Sequence, residues 1–337
     1  MARAPAAGAQ SRAVRITLRH ALWACALSAC AAQPSPFTAR PDAAADAALD
    51  AALDAPPAPL DVPGFDLAPR DLGPPRACER VDLLFVIDSS GSMGDNQRSL
   101  ARSVPGFLRA MRARLDFARS VNVGVVTSSD YFANADGCGA IGSLITRTGG
   151  PESSNRNCQP FASGARYLTH DDPDLDARFA CIAQVGAGGS DDERMMRALL
   201  TAVRPEANLP GRCNSGFLRR DSLLVVVLIT DEDDVPDGCD GTGACMTQAS
   251  GGTPQEWFDQ VLAARSNLSQ NVVVLSLLGL RGDNACGAVP AARLIGFTRR
   301  FGANGFTGDV CADDYAPFFD GALGVIERAC ANFVTPP

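Results

Sequence analysis

Lysine is absent from this chain: all 30 of its basic residues are arginine, a compositional bias rather than a site. Against 38 acidic residues they leave a formal net charge of −8. An acidic chain is a poor match for a phosphate backbone, so no nucleic-acid partner is expected. Histidine is scarce. Only His20 and His170 occur, and no C-x-x-C pair accompanies them, which leaves zinc without its usual ligand set. The apolar run near the N-terminus, Ala21 to Ala29, has nine residues and is too short to span a bilayer.

Cysteine, by contrast, is plentiful, with twelve in an otherwise ordinary composition. Lacking metal-ligand spacing, these cysteines read as disulfides formed in an oxidising compartment, so the chain is expected to be exported. Residues 1–29 supply the means. Arg3, Arg12, Arg15 and Arg19 precede the short apolar run with no acid among them, the pattern of a signal peptide. The run ends Leu27-Ser28-Ala29-Cys30, which resembles a bacterial lipobox and implies lipidation of Cys30. Ordinary cleavage at a neighbouring small residue is the alternative. Ala31 lacks the acidic side chain that commonly retains lipoproteins at the inner membrane. A lipid anchor in the cell envelope, at the outer membrane, is therefore expected. Residues 30–77 are rich in Ala, Pro and Asp and cannot bury enough surface to offset their ordering entropy. They read as a tether.

The folded unit is expected over residues 78–332. Buried strands are predicted at Val81 to Ile87, Val121 to Thr127, Leu223 to Ile229 and Val272 to Leu278, each a continuous apolar run. Helices are predicted between them. One carries Leu100, Val104, Phe107, Leu108 and Met111. Others span Asp174 to Val185, the residues after Ser190, those after the N-cap Thr253 with Pro254, Val289 to Phe301 and Tyr315 to Ala329. A short edge strand is expected at Arg166 to Thr169 and another near Phe306. Alternating strands and helices at this spacing make an α/β fold, doubly wound, with a mostly parallel sheet covered on both faces. The stretch from Ser128 to Ala165 is too long for an idle connection and holds Cys138 and Cys158.

The first strand stops at Asp88, followed by Ser89, Ser90, Gly91 and Ser92. Asp88, Ser90 and Ser92 alternate, so one turn can aim a carboxylate and two hydroxyls at a common point, at the sheet end where ligands bind. Oxygen donors alone suit a hard divalent cation. The stretch VDLLFVIDSSGSM resembles the first motif of von Willebrand factor type A (vWA) domains, whose metal ion-dependent adhesion site begins with these residue types. The resemblance implies two further loops. Asp231, ending the strand in LITD, matches the third, and Ser190 in GGSDDE is the nearest match to the second. Ser190 has a competing role as N-cap of the following helix, in a capping box with Glu193, and Asp191 or Glu193 could supply the second-loop oxygen instead.

Only Asp88 and Asp231 of this set are charged when Ser190 is the third party. A cation held so lightly stays electron-poor, and the resemblance implies that it takes an acidic residue of a protein partner as a further ligand. Mg²⁺ is the expected ion, with Mn²⁺ or Ca²⁺ as substitutes. The expected function is a membrane-tethered, metal-dependent protein-binding domain and not an enzyme. Two alternatives stand beside it. One is a structural envelope lipoprotein with a degenerate metal site. The other is a hydrolase using Ser90 or Ser92, for which His170 is the lone candidate base and no G-x-S-x-G elbow is present. The ten cysteines of the folded unit are expected to form five disulfides. Spacing and the assumed strand order suggest Cys239–Cys245, Cys78–Cys330, Cys286–Cys311, Cys138–Cys158 and Cys181–Cys213.

Overall fold

A computed structural model describes residues 78–114, 118–134, 136–234, 238–239, 245–246, 250–284 and 286–336. All lie within the compact unit Ala68–Pro337. The expected signal peptide, Cys30 and the tether fall outside the described residues.

Among the described residues, eight strands and six α-helices follow one another. The strands are β1 (Arg80–Ile87), β2 (Ser120–Thr127), β3 (Leu168–Thr169), β4 (Leu223–Ile229), β5 (Gly238–Cys239), β6 (Cys245–Met246), β7 (Val272–Leu278) and β8 (Gly305–Asp309). The helices are α1 (Gly94–Arg114), α2 (Leu175–Ala183), α3 (Met195–Val203), α4 (Pro254–Ala263), α5 (Ala292–Arg299) and α6 (Ala316–Ala331). Six strands form one sheet in the order β3-β2-β1-β4-β7-β8, while β5 and β6 make a separate hairpin. Every pairing in the large sheet is parallel except that of β3, which runs antiparallel to β2 at the edge. This is the doubly wound α/β architecture that the alternating pattern implies.

Side chains alternate across a strand, so each strand feeds two cores. Leu83, Phe85, Ile87, Val225 and Val227 point to the layer of α1, α2 and α6. Leu84, Val86, Val226 and Leu228 point to the layer of α3, α4 and α5, where Trp257 and Phe297 pack. β1 and β4 are neighbours in register from Val81↔Leu223 to Ile87↔Ile229. Their carboxyl ends therefore finish side by side. Thr253 caps α4 by accepting from the Glu256 N–H, and the Glu256 carboxylate accepts from the Thr253 N–H, so a capping box forms here. The last expected helix but one starts later than its apolar spacing suggests. Val289 N–H donates to Asp231 O and Ala291 N–H to Gly279 O, so those residues are tied to neighbouring loops, and Ala292 opens α5. Among the described residues no helix is long and apolar enough to cross a membrane.

Cys78–Cys330 and Cys286–Cys311 are bonded as the spacing suggests. Cys239 and Cys245 stand opposite each other across the β5–β6 hairpin, and their side chains lie outside the described set. The remaining two pairs differ from expectation. The structure joins Cys138 to Cys213 and Cys158 to Cys181, not Cys138 to Cys158 and Cys181 to Cys213. The reason is the path of the long insertion after β2. Its first part lies against the α3 side, where Asn214 donates to Gly142 O at 2.8 Å and accepts from Leu144 N–H at 2.9 Å. Its second part lies against α2, where Ser154 donates to Cys181 O at 2.9 Å. The two cysteines of one loop are thus delivered to different layers.

Non-reducing peptide mapping of the purified domain should recover Cys138 linked to Cys213 and Cys158 linked to Cys181. Recovery of a Cys138–Cys158 peptide would contradict this path for the insertion. Removing Cys78–Cys330 by paired substitution to alanine should cost ~2–4 kcal/mol of stability, since that bond closes a very long loop.

Candidate functional site

Asp88 begins where β1 ends and is fully buried. Its Oδ1 accepts from Ser90 N–H at 2.8 Å and from the Ser128 hydroxyl at 3.2 Å, while Oδ2 accepts from the Thr230 hydroxyl at 2.8 Å. Three strand ends therefore converge on one carboxylate: β1 itself, β2 through Ser128 and β4 through Thr230. Ser90 Oγ lies 3.1 Å from Ser92 Oγ, and the Ser92 hydroxyl donates to Asp231 Oδ1 at 3.1 Å. Four of the expected site residues, Asp88, Ser90, Ser92 and Asp231, are thus gathered at one rim of the sheet. Asp231 is buried too, and its backbone carbonyl accepts from Val289 N–H at 2.7 Å.

The second loop arrives differently from expectation. α3 begins at Met195 with Arg194 in the N-cap position, so Ser190 does not open that helix and the Ser190–Glu193 capping box does not form. Ser190 Oγ instead accepts from Asp192 N–H at 3.1 Å, closing a local turn, and makes no side-chain hydrogen bond to the Asp88 cluster. The α3 N-terminus is held by Asp234, whose Oδ2 accepts from Met196 N–H at 2.7 Å. A Gly-Gly turn brings the loop against β1's end. Gly189 N–H donates to Ser89 O at 2.7 Å, and a Cβ at Gly189 would collide with the Ser89 hydroxyl.

Glu193 is the residue that turns inward. It is 1 % exposed, and neither carboxylate oxygen has a hydrogen-bond partner. Burial first, and the Asp88 carboxylate second, push its pKa up to about 10, with Glu232 and Asp231 adding to the repulsion. Asp231 is raised by burial and then by Asp88; Glu232 is raised by burial and then by Asp231. None of these four carboxylates makes an ion pair among the described residues. The adjacent Arg194 reaches Asp130 at 4.0 Å.

Such a set fits a hard divalent cation. Buried carboxylates without donors or counter-charges are costly, and a cation relieves several at once. Hydroxyl and carboxylate oxygens are the donors such an ion selects. Asp88, Ser90, Ser92 and Asp231 would hold it, with an oxygen from the second loop. The hydroxyl bridges Ser90–Ser92–Asp231 now link these groups to each other, and among the described residues no three His, Cys, Asp or Glu side chains already stand as a metal cage.

Two residues the sequence does not single out hold the rim together. Gln97, on α1, donates to Asp88 O at 3.0 Å and Gly186 O at 2.6 Å, and accepts from Gly186 N–H at 2.6 Å. It clamps the first loop to the second. Ser128 was visible only as the start of the long insertion, yet it bonds both Asp88 and Ser89 N–H. A polar Gln on the inner helical face was the available signal for the first, and a Ser-Ser pair ending an apolar strand for the second.

The acidic run after Asp231 has anchoring work. Asp233 accepts from Arg293 N–H and Leu294 N–H at the start of α5, and Asp234 takes Met196 N–H and the Ser250 hydroxyl. His170 cannot serve Ser90 or Ser92 as a base. Its N–H donates to Val121 O at the beginning of β2, while the serines sit beyond the far ends of the parallel strands, roughly 20 Å away at ~3.3 Å per residue.

The doubly wound sheet with Asp-x-Ser-x-Ser after its first strand is a vWA-like fold. No protein-family model and no curated protein sequence matches the chain. Solved structures are similar at low identity. Proximal thread matrix protein 1 from the mussel byssus, with a zinc-occupied MIDAS motif, is 14 % identical over 76 % of this chain and 47 % of its own, with a TM-score of 0.35. A von Willebrand factor type A structure from Catenulispora acidiphila is 15 % identical over 75 % of this chain and 43 % of its own, TM-score 0.35. Manganese-loaded TRAP from Plasmodium vivax is 13 % identical over 75 % and 74 %, TM-score 0.35. The chain spans less than half of the first two.

The carboxylate cluster has a pH signature. With its pKa pushed up to about 10, Glu193 keeps its proton in the folded state, whereas in the unfolded chain it ionises near its ordinary value of 4.5. Between those limits the folded state binds the extra proton, so stability falls as pH rises, by up to ~1.4 kcal/mol per pH unit. Asp231 and Glu232 are shifted in the same direction. Urea unfolding in chelator should show a midpoint that drops from pH 5 to pH 9, and excess divalent cation should flatten the profile. A profile already flat in chelator would mean that Glu193 is not crowded as described.

Proposed function

We propose that this chain is a lipid-tethered cell-envelope protein whose folded domain docks a protein partner through a divalent cation at the Asp88 rim. The observation that carries this reading is the convergence of Asp88, Ser90, Ser92 and Asp231 from two adjacent strand ends into one hydroxyl-carboxylate cluster. Mg²⁺, Mn²⁺ or Ca²⁺ would each find oxygen donors there. When bound, the cation supplies a Lewis-acidic docking point for an acidic residue of the partner. Asp88 and Asp231 bring charge, Ser90 and Ser92 neutral oxygens, while Thr230, Ser128 and Gln97 keep Asp88 in place.

Exposed apolar side chains on segments that lead away from the cluster support a protein as the partner. Phe132 is 91 % exposed on the segment that continues from Ser128 and Ser129. Val289 is 48 % exposed, and its N–H is bonded to the Asp231 carbonyl. Large apolar residues left in water next to a polar centre are the usual make-up of an interaction patch. The lipid anchor at Cys30 and the outer-membrane address rest on the sequence of residues 1–31. A second reading, a structural envelope protein that keeps the fold without the cation, is favoured by the position of Ser190 outside the hydrogen-bonded cluster.

Titration calorimetry with each cation on the wild type and on Asp88→Asn distinguishes these readings. The substitution keeps an oxygen for Ser90 N–H and the Ser128 hydroxyl, turns an amide N–H toward the Thr230 hydroxyl, which can accept, and removes the charge; it should weaken cation binding about a hundred-fold or more. Phe132→Ser should leave cation binding unchanged and reduce capture of the envelope partner. No cation binding by the wild type at millimolar concentration leaves the structural reading. Metabolic labelling with a fatty-acid analogue should mark the wild type and spare Cys30→Ser; labelling that survives removes the tether.

A further inference from the structure

We propose that Glu193, and not Ser190, is the second-loop ligand of the cation, and that its carboxylate makes the rim a calcium-selective site. The inference rests on the metal-dependent reading above and narrows it.

Buried carboxylates elsewhere in this protein are supplied with donors. Asp82 receives Arg219 and the Ser222 hydroxyl. Asp172 receives Ala162 N–H and Thr169 N–H at 2.8 and 2.7 Å. Asp234 has Met196 N–H and the Ser250 hydroxyl at one oxygen. Glu193 has nothing at either oxygen, although it is more than nine-tenths buried. Asp88 is within interaction reach of it, and Glu232 and Asp231 are near enough to repel its charged form, so its charged neighbours are acceptors and not donors. An acceptor among acceptors is satisfied by a proton or by a cation. A proton can bridge Glu193 to one neighbour, whereas a cation can satisfy Glu193, Asp88 and Asp231 together once the three side chains close around it, since they do not already stand as a cage.

Ser190 already has a donor. Its hydroxyl, three residues before Glu193, accepts from the Asp192 N–H, and Gly189 is bonded to Ser89 O. The loop thus passes close to β1's end with Ser190 turned to its own backbone, and delivers Glu193 to the cluster instead.

Replacing a hydroxyl by a carboxylate changes which cation fits. Mg²⁺ keeps several waters and is usually bound by one or two carboxylates, whereas Ca²⁺ accepts more oxygen ligands and several carboxylates in a flexible shell. Asp88, Asp231 and Glu193 bring three charges, and Ser90 and Ser92 two neutral oxygens. The larger shell of Ca²⁺ still has room for a partner's oxygen beyond these five side chains.

The test is calorimetric titration of the purified, chelator-stripped chain with CaCl₂ or MgCl₂ alone. The wild type should bind Ca²⁺ at least about ten-fold more tightly than Mg²⁺. Glu193→Gln should lose about ten-fold or more in Ca²⁺ affinity and bring the two ions close to parity, while Ser190→Ala should change either by less than about two-fold. Melting supplies an independent readout. At neutral pH in chelator Glu193→Gln should melt above the wild type, because the amide folds without the proton uptake that the buried carboxyl requires; in CaCl₂ the order should reverse. Should Glu193→Gln fail to fold, Glu193→Asp keeps the charge and should keep the preference for Ca²⁺ at lower affinity. Calcium binding untouched by either Glu193 substitution, or lost in Ser190→Ala instead, overturns the assignment. Equal or tighter Mg²⁺ binding by the wild type overturns the selectivity. Binding of neither ion by the wild type overturns the metal-dependent reading itself, and this inference with it.

Discussion

Like charge packed into a small, dry volume is the constraint on which this rim depends. Asp88, Asp231 and Glu193 come from three separate segments, are all buried, and repel one another in their charged forms, which is why Glu193 holds its proton. Hydrophobic burial brings them there regardless, because β1 and β4 are central strands with apolar side chains on both faces and their carboxyl ends cannot finish anywhere else. Fold stability elsewhere therefore supplies the free energy that holds an unfavourable electrostatic arrangement in place. Such an arrangement is what a cation site requires before the cation arrives.

The arrangement is kept by neutral donors. Thr230, Ser128 and the Ser90 N–H hold Asp88 in place, and Gln97 ties the loop after β1 to the loop before α3. These contacts carry no charge, so they position the carboxylates without neutralising them. Asp233 and Asp234 have the opposite job. They neutralise the starts of α5 and α3, fixing the elements that flank the site. Within one acidic run, then, Asp231 joins the serine cluster at the rim while its neighbours anchor helices.

The disulfides serve the insertion and the chain ends. Cys78–Cys330 joins the start of β1 to α6. Cys138–Cys213 and Cys158–Cys181 pin the two halves of the long insertion to different layers, and Cys286–Cys311 links the loops after β7 and β8. Tyr131 strengthens this, its hydroxyl donating to Val185 O at 2.5 Å beside the second loop. The insertion is thereby built into the wall of the rim and holds Phe132 out in solvent.

Much of this was legible in the amino-acid order. Continuous apolar runs marked β1, β2, β4 and β7, because a strand covered on both faces cannot afford polar residues in its interior. Asp88 and Asp231 were legible for the same reason, as the abrupt ends of such runs, and Ser90 and Ser92 by their alternation. What only the tertiary structure decided concerns partners distant along the chain. Nothing local says that Glu193 turns inward while Ser190 closes a turn, since a Ser-x-x-Glu spacing reads equally well as a helix cap. Nothing local sends Cys138 to Cys213 over the nearer Cys158, because that choice depends on which face of the sheet each half of the insertion crosses. Periodicity and strand-end chemistry are properties of neighbours in sequence and can be read from it. Burial, the loss of hydrogen-bond donors around a carboxylate, and cysteine pairing are properties of neighbours in space, and exist only once the layers have packed.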